Sequence, residues 1–383
     1  STAASATPTA TPTATATATA TATRGALGGC ATPTPTATID VVDVPGNVSP
    51  LVSRATLIGP ADPGMTLSPY IALAPRAPQQ LESRAKDAAS GHAVVSQGQL
   101  LADHSPSAVD YESLRSFFAS AQGVTVTKTS ADRLELRLQG SVGQLEQLLG
   151  TAINLYSLNG RQFFANASNP KLPRGLAPLV QHIGGLDDAA PLRPHVSASP
   201  ASEPNPGDGA APFAPLDIQT AYNVTPLLAQ GLKGTGQTIG IVTLAPFGCG
   251  ASCLSDVNAF QSAFHYASPS ISVAPTGNPS GGAACAVPGG DVETTLDTEW
   301  TSALAPGAAI KVFEGTDGCD LYGALGSAVN DASVNVISIS WGACEPYFGD
   351  TTSIHSLLSL AAASGKSIFV ASGDRGAEDC YPD

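Results

Sequence analysis

The feature that most constrains this chain is a series of short apolar segments between residues 238 and 371, each followed by a stretch with helical spacing. The segments are Thr238–Thr243 (TIGIVT), Ile271–Ala274, Ala309–Phe313, Val334–Ser340 (VNVISIS) and Ser367–Ala371. Helical patterns fill the intervals at Cys253–Phe264, Val292–Ala305, Asp320–Asp331 and Thr352–Ala363. Strands that are apolar at nearly every position are buried on both faces. Strands that alternate with helices form a mainly parallel sheet with helices packed on it. Ligands and reacting groups of such sheets gather at the carboxyl ends of the strands. The second half of the chain is therefore predicted to be α/β, with any chemistry at those strand ends.

The first half has a different organisation. Residues 1–38 are Thr/Ala/Pro low complexity, as in TATATATATATAT from Thr11 to Thr23. Such side chains bury too little apolar surface to offset ordering entropy, so a flexible tail is expected, taken to residue 49. A second Pro/Ser/Gly-rich stretch, Ala190–Pro215, reads as an exposed linker, placed at 190–211. Between them lie a strand at Tyr70–Ala74, a helix over Asp110–Ala121 and strands at Val124–Thr129 and Arg133–Gln139. A helix over Ser141–Leu149 follows, then a hairpin of Ile153–Tyr156 and Gln162–Ala165 around Asn159-Gly160. Leu134, Leu136 and Leu138 share one face of the fourth of these elements. The order β-α-β-β-α-β predicts an α+β, ferredoxin-like arrangement for residues 50–189. No cluster of nucleophile, base or ligand types stands out there.

Charge separates the halves. Residues 212–383 hold 16 acidic and 4 basic side chains, residues 1–211 hold 15 and 13, and the whole chain carries a net charge of −14. That balance excludes a polyanion-binding surface, which needs clustered Lys and Arg. No apolar run reaches the roughly 18 residues of a membrane span. An acidic domain is relieved of self-repulsion as its carboxylates protonate, so acid tolerance is one expectation and a merely soluble surface the other. The chain starts at Ser1, has Met65 as its only methionine, shows no signal peptide and ends at Asp383. A processed or truncated chain is expected from these ends.

Glu293 and Asp297 are the most informative pair. At i and i+4 on a helix both carboxylates share one face, an arrangement that costs an isolated helix stability. If that face points inward, one carboxyl can hold a proton and bond the other, and the pair can act as a base at acidic pH. If it points outward, it is a solvated acidic face. Asp291 reads as an N-cap after Gly289-Gly290, and Glu299 falls off the pair's face. Asp374, in the Ala371–Gly376 turn (ASGDRG) after the last apolar segment, can stabilise its own turn or donate a hydrogen bond to a developing oxyanion.

These residues carry a resemblance. GDVETTLDTEWTSALAPGA (Gly290–Ala308), VISISWG (Val336–Gly342) and FVASGDRG (Phe369–Gly376) resemble the sedolisin family of serine-carboxyl peptidases, kumamolisin-like members included. Residues 50–189, especially Asp110–Gly150 and GRQFFAN (Gly160–Asn166), resemble that family's pro-kumamolisin activation domain. The resemblance implies a secreted, acid-acting endopeptidase zymogen with a subtilisin-like sheet in residues 212–383 and a processing site in the 190–211 linker. It also implies protein or peptide substrates and an intramolecular prodomain. Glu293 would be the general base that activates a serine, Asp297 would orient Glu293, and Asp374 would serve the oxyanion hole. The chemistry implied is acyl transfer through a serine ester. The family's structural calcium would take ligands beyond Asp383.

The chain departs from the family pattern at three points. It holds no Ser-Gly-Thr-Ser nucleophile motif, it ends nine residues after Asp374, and Thr243 stands where kumamolisin-like members carry a Glu. The chain as given is expected to be an inactive fragment; a non-catalytic pseudopeptidase or binding module is the alternative.

Six of seven cysteines (Cys249, Cys253, Cys285, Cys319, Cys344, Cys380) fall in the second half, and the even set favours disulfides; Cys30 stands apart. None of the six histidines shows metal-ligand spacing. Asn47, Asn166 and Asn223 match the glycosylation pattern. Gly234-Thr235-Gly236 precedes a strand and so fails as a dinucleotide loop.

Overall fold

The computed structural model describes residues 40–190, 192–194, 213–245, 251–275, 290–315, 320–349 and 351–373. Most of the tail and of the linker, and Asp374, lie outside the described residues.

The chain is α/β in its second half. Five strands lie in the order Ser270–Pro275, Ala309–Glu314, Thr238–Thr243, Val336–Ile339, Ser367–Val370, and every neighbouring pair is parallel. Both faces of the sheet are covered. Ile241, Ile310 and Val312 pack with Val257 of the helix Ala251–Ala263 on one side. Val242, Phe313, Ile337 and Ile339 join the helices Leu321–Asn330 and Thr352–Ala363 on the other. Each fully buried aliphatic side chain there contributes about 1.5–3 kcal/mol. Register levels the strand ends: Thr243 lies beside Glu314, and Val242 beside Ile339. The last strand departs from the expected burial. Among the described residues it is the sheet's edge, and Phe369 and Val370 are 64% and 57% exposed.

In the first half, Val180–Gly184, Tyr70–Leu73, Glu135–Ser141 and Thr125–Thr129 lie side by side, all antiparallel. The helices Ala108–Ala119 and Val142–Leu149 bury Tyr111, Leu114, Phe118, Val142, Leu145 and Leu149 in the core of this half. Ser107 caps the first helix, accepting from the Asp110 amide at 3.0 Å. Ser141 and Gln144 form a capping box on the second. The hairpin strands Ile153–Leu158 and Arg161–Asn166 form, but they lie in a separate three-stranded sheet with Thr56–Pro60, and Val180–Gly184 takes the place beside Tyr70–Leu73. Turn chemistry selects the hairpin, not the sheet it joins. Regular structure also begins before residue 50. Val41–Asp43 pairs with Lys171–Pro173, and the buried Asn47 donates to the carbonyls of Val44 and Pro45 while accepting from the Ile183 amide.

One apolar cluster spans both halves: Ala72, Leu81, Ala85, Leu100 and Leu134 pack with Tyr322, Leu325, Val329 and Leu357. The helix Pro78–Ala89 lies along Thr352–Ala363. Arg137, 1% exposed, reaches from the first half to the carboxylate of Asp320 in the second.

Candidate active site

The helix Gly290–Leu304 packs against the central strand Thr238–Thr243 with its polar side inward. Glu293, Thr294, Thr298 and Ser302 are 4%, 0%, 0% and 2% exposed, whereas Val292 and Leu296 are 51% and 38% exposed. This inverts the usual amphipathic order, in which the apolar stripe faces the core. The sequence ETTLDTEWTS has four Thr and two further side chains that compete for backbone hydrogen bonds, so the helix depends on tertiary contacts. Thr298 returns its hydroxyl to the Thr294 carbonyl at 2.8 Å, and Ser302 to that of Glu299 at 2.6 Å. The carboxyl pair is thus carried inward rather than left as a solvated face. The helix begins at Gly290, one residue ahead of the expected cap at Asp291.

Asp297 is half-buried, and its Oδ1 accepts from the Ser340 hydroxyl at 3.0 Å. Ser340 directly follows the strand Val336–Ile339, so the contact sits at the carboxyl end of the sheet. Next to it the buried Trp341 donates Nε1–H to Thr243 Oγ1 at 3.1 Å, and Thr243 is bonded to Thr294 on the carboxyl helix at 2.7 Å. A hydroxyl at position 243 therefore links strand to helix. The sequence alone does not single out Ser340, Thr294 or Trp341 as separate site residues. The signal was the Ser-Trp step that ends an apolar strand, because a buried Trp needs a partner for its N–H.

Burial pushes the Asp297 carboxyl up to about 6, with the Ser340 hydroxyl pulling the other way. Burial, and then the charge of Asp256, raise Glu299 to about 7. A buried carboxyl without a cation holds its proton into the range where an acid–base group works. The described part of the linker comes close to this site: Arg193–Pro194 pairs antiparallel with Trp341–Gly342.

Asp374 lies outside the described residues. Cys344 is disulfide-bonded, and the other six cysteine side chains lie outside the described residues. Of the three glycosylation patterns, Asn47 and Asn166 are buried and bonded through their amides, and only Asn223 is exposed. Among the described residues no group of three or more His, Cys, Asp or Glu is arranged to hold a metal ion. No described helix is long and apolar enough to cross a membrane.

Comparison with known proteins adds a family. Residues 53–189 match the pro-kumamolisin activation domain. Kumamolisin of Bacillus sp. (strain MN-32) is 31% identical over 296 residues, covering 73% of this chain and 50% of that protein. Sedolisin of Pseudomonas sp. (strain 101) is 27% identical over 267 residues, covering 66% of this chain and 44% of that protein. A solved structure of Pseudomonas sedolisin (serine-carboxyl proteinase) complexed with two molecules of pseudo-iodotyrostatin is 29% identical. It has a TM-score of 0.33 and covers 39% of this chain and 44% of that one. The chain spans about half the length of these curated relatives.

Proposed function

The chain belongs to the sedolisin family, and from that premise we propose that it carries the acid–base half of a secreted serine-carboxyl endopeptidase together with the activation domain of its zymogen. The observation that carries this reading is the inverted helix Gly290–Leu304, which buries Glu293 and leaves Val292 and Leu296 in solvent. A fold gives up apolar burial for a carboxyl face when the carboxyls have work to do.

In the proposed reaction Glu293 takes the proton of a serine hydroxyl as its oxygen attacks the scissile carbonyl carbon. Asp297 holds Glu293 in place, and Asp374 donates to the oxyanion. The proton passes to the leaving amine, and water, deprotonated by the same carboxyl, releases the acyl group. The sequence holds no Ser-Gly-Thr-Ser segment, and we place the nucleophile in residues outside it. No step is drawn through calcium.

Residues 50–189 act as a ferredoxin-like activation domain that supports folding of the sheet. The apolar cluster common to both halves and the Arg137–Asp320 pair support this role. The processing site lies in the 190–211 linker, whose described residues Arg193–Pro194 pair with Trp341–Gly342 beside the site.

The test uses a chain extended to include the nucleophilic serine, assayed on a peptide substrate after activation. Turnover is expected below about pH 5, where a carboxyl base works and a His base is protonated. Glu293→Ala and Asp297→Ala are each expected to lower kcat by roughly 10²–10⁴. Full turnover in both variants would overturn the assignment.

A further inference from the structure

Two residues adjacent in sequence hold the carboxyl helix at two points three residues apart. Ser340 donates to Asp297 Oδ1 at 3.0 Å. Trp341 acts through a hydroxyl whose polarity can be assigned. Thr243 Oγ1 accepts from Trp341 Nε1 at 3.1 Å and from the Ala245 amide at 3.1 Å. A hydroxyl has one proton and two lone pairs. With both lone pairs engaged, Thr243 must donate its proton to Thr294 Oγ1, 2.7 Å away. The sequence of donors is therefore Trp341 to Thr243 to Thr294, the residue next to Glu293. Trp341, Thr243 and Thr294 are 2%, 1% and 0% exposed, so water does not compete for these bonds.

We propose that Ser340 and Trp341 are positioning residues of the carboxyl site. Ser340 fixes the Asp297 carboxylate through Oδ1, and Trp341, through Thr243, fixes the rotation of the helix at Thr294. The proton of Ser340 is committed to Asp297 and its side chain is buried, so Ser340 acts as a donor and not as a nucleophile. A neutral donor suits this task. It orients a carboxylate without the fixed charge that would hold it ionised throughout the acid range. The inference rests on the reading of Asp297 as the residue that orients the base.

The test is a ¹³Cγ NMR titration of Asp297 in the full 383-residue chain, with amide exchange read over residues 293–298. Removing a donor to the charged form raises a carboxyl midpoint, so Ser340→Ala is expected to move Asp297 upward by about one unit. Ser340→Thr should restore the original midpoint, and Ser340→Cys, a weaker donor, should fall between. Trp341→Phe keeps the ring bulk and loses the N–H. It should leave the Asp297 midpoint in place and speed amide exchange at 293–298 by roughly tenfold. Should Ser340→Ala fail to fold, the Cys and Thr variants and Trp341→Phe still decide. An Asp297 midpoint that is the same in Ser340→Cys or Ser340→Ala as in the parent overturns the role of Ser340. Unchanged exchange in Trp341→Phe overturns that of Trp341. Failure of the underlying reading looks different: Asp297→Asn would then keep full turnover in the extended chain, whatever the titration shows.

Discussion

Two of the places where this molecule buries carboxylates do so in opposite ways. Where the halves meet, Glu135 and Asp320 lie against the guanidinium of Arg137, itself 1% exposed, with Glu135 at 3.1 Å and Lys128 reaching Glu135 at 3.2 Å. Asp320 also caps the helix Leu321–Asn330, accepting from the Gly323 amide at 2.8 Å. At the carboxyl end of the parallel sheet, Asp297 has a hydroxyl for a partner, and burial is the dominant influence on its ionisation. The first arrangement compensates buried charge with charge and holds two halves together. The second leaves the carboxyl free to change its protonation state. The residue type is the same at both places, and its partner decides what it does.

Breaking the compensated region should have the largest effect on the fold. Arg137→Met removes the cation and leaves Glu135 and Asp320 buried against an apolar side chain. A loss of about 3–5 kcal/mol in stability is expected, read from denaturant unfolding of the full chain. Asp320→Asn in the same background should recover part of it, because Asn removes one stranded charge and can still cap the helix. A loss below about 1 kcal/mol for Arg137→Met would mean that the apolar cluster alone joins the halves.

The opposite sign is expected at the uncompensated site. Asp297 has a folded pKa near 6, above its value in an unfolded chain, so the folded state binds the extra proton. Its stabilising contribution is fully present below about pH 4 and is lost as pH rises through 6. Asp187, which burial also raises to about 6, adds to the same trend. Thermal unfolding followed from pH 4.5 to 7.5 should therefore show Tm falling across that window. Asp297→Asn should flatten the curve and gain about 1–2 kcal/mol at pH 7 with little change at pH 4.5. A variant less stable than the parent at pH 7 would show that the carboxylate is held by a charge after all.

How much of this was legible in the sequence depended on whether one half could be read without the other. The parallel sheet was legible because strands buried on both faces are apolar throughout, as in TIGIVT and VISI. Glu135 and Arg137 were not. Alternation with Leu134, Leu136 and Leu138 assigns them to a solvent face, and that face is covered by Tyr322 and Asp320, nearly two hundred residues downstream. The carboxyl pair was legible as a pair but not in its direction. An i, i+4 spacing is the same on an inward and an outward face, and only the exposure of Val292 and Leu296 tells them apart. Ser340 was hidden for a similar reason, since a serine closing an apolar strand gives no sign of the helix it will meet.

The smallest expected effect concerns what covers the compensated charge. Tyr70 of the first half stacks on Tyr322 of the second, with ring centroids 4.8 Å apart and planes 4° from parallel, and Arg137 lies 5.8 Å over the Tyr70 ring. Stacking and cation–π contact are each worth about 0.5–1.5 kcal/mol. Tyr70→Leu keeps an apolar side chain and removes both, so a loss of about 1–2 kcal/mol is expected from the same denaturant unfolding. The informative quantity is the coupling in a double-mutant cycle with Arg137→Met, because the two side chains touch and their effects should not add. A coupling of about 0.5–1 kcal/mol would place the ring within the charge cluster, where it excludes water and strengthens each ion pair. Additive losses would mean that the aromatic stack and the ion pairs join the halves independently.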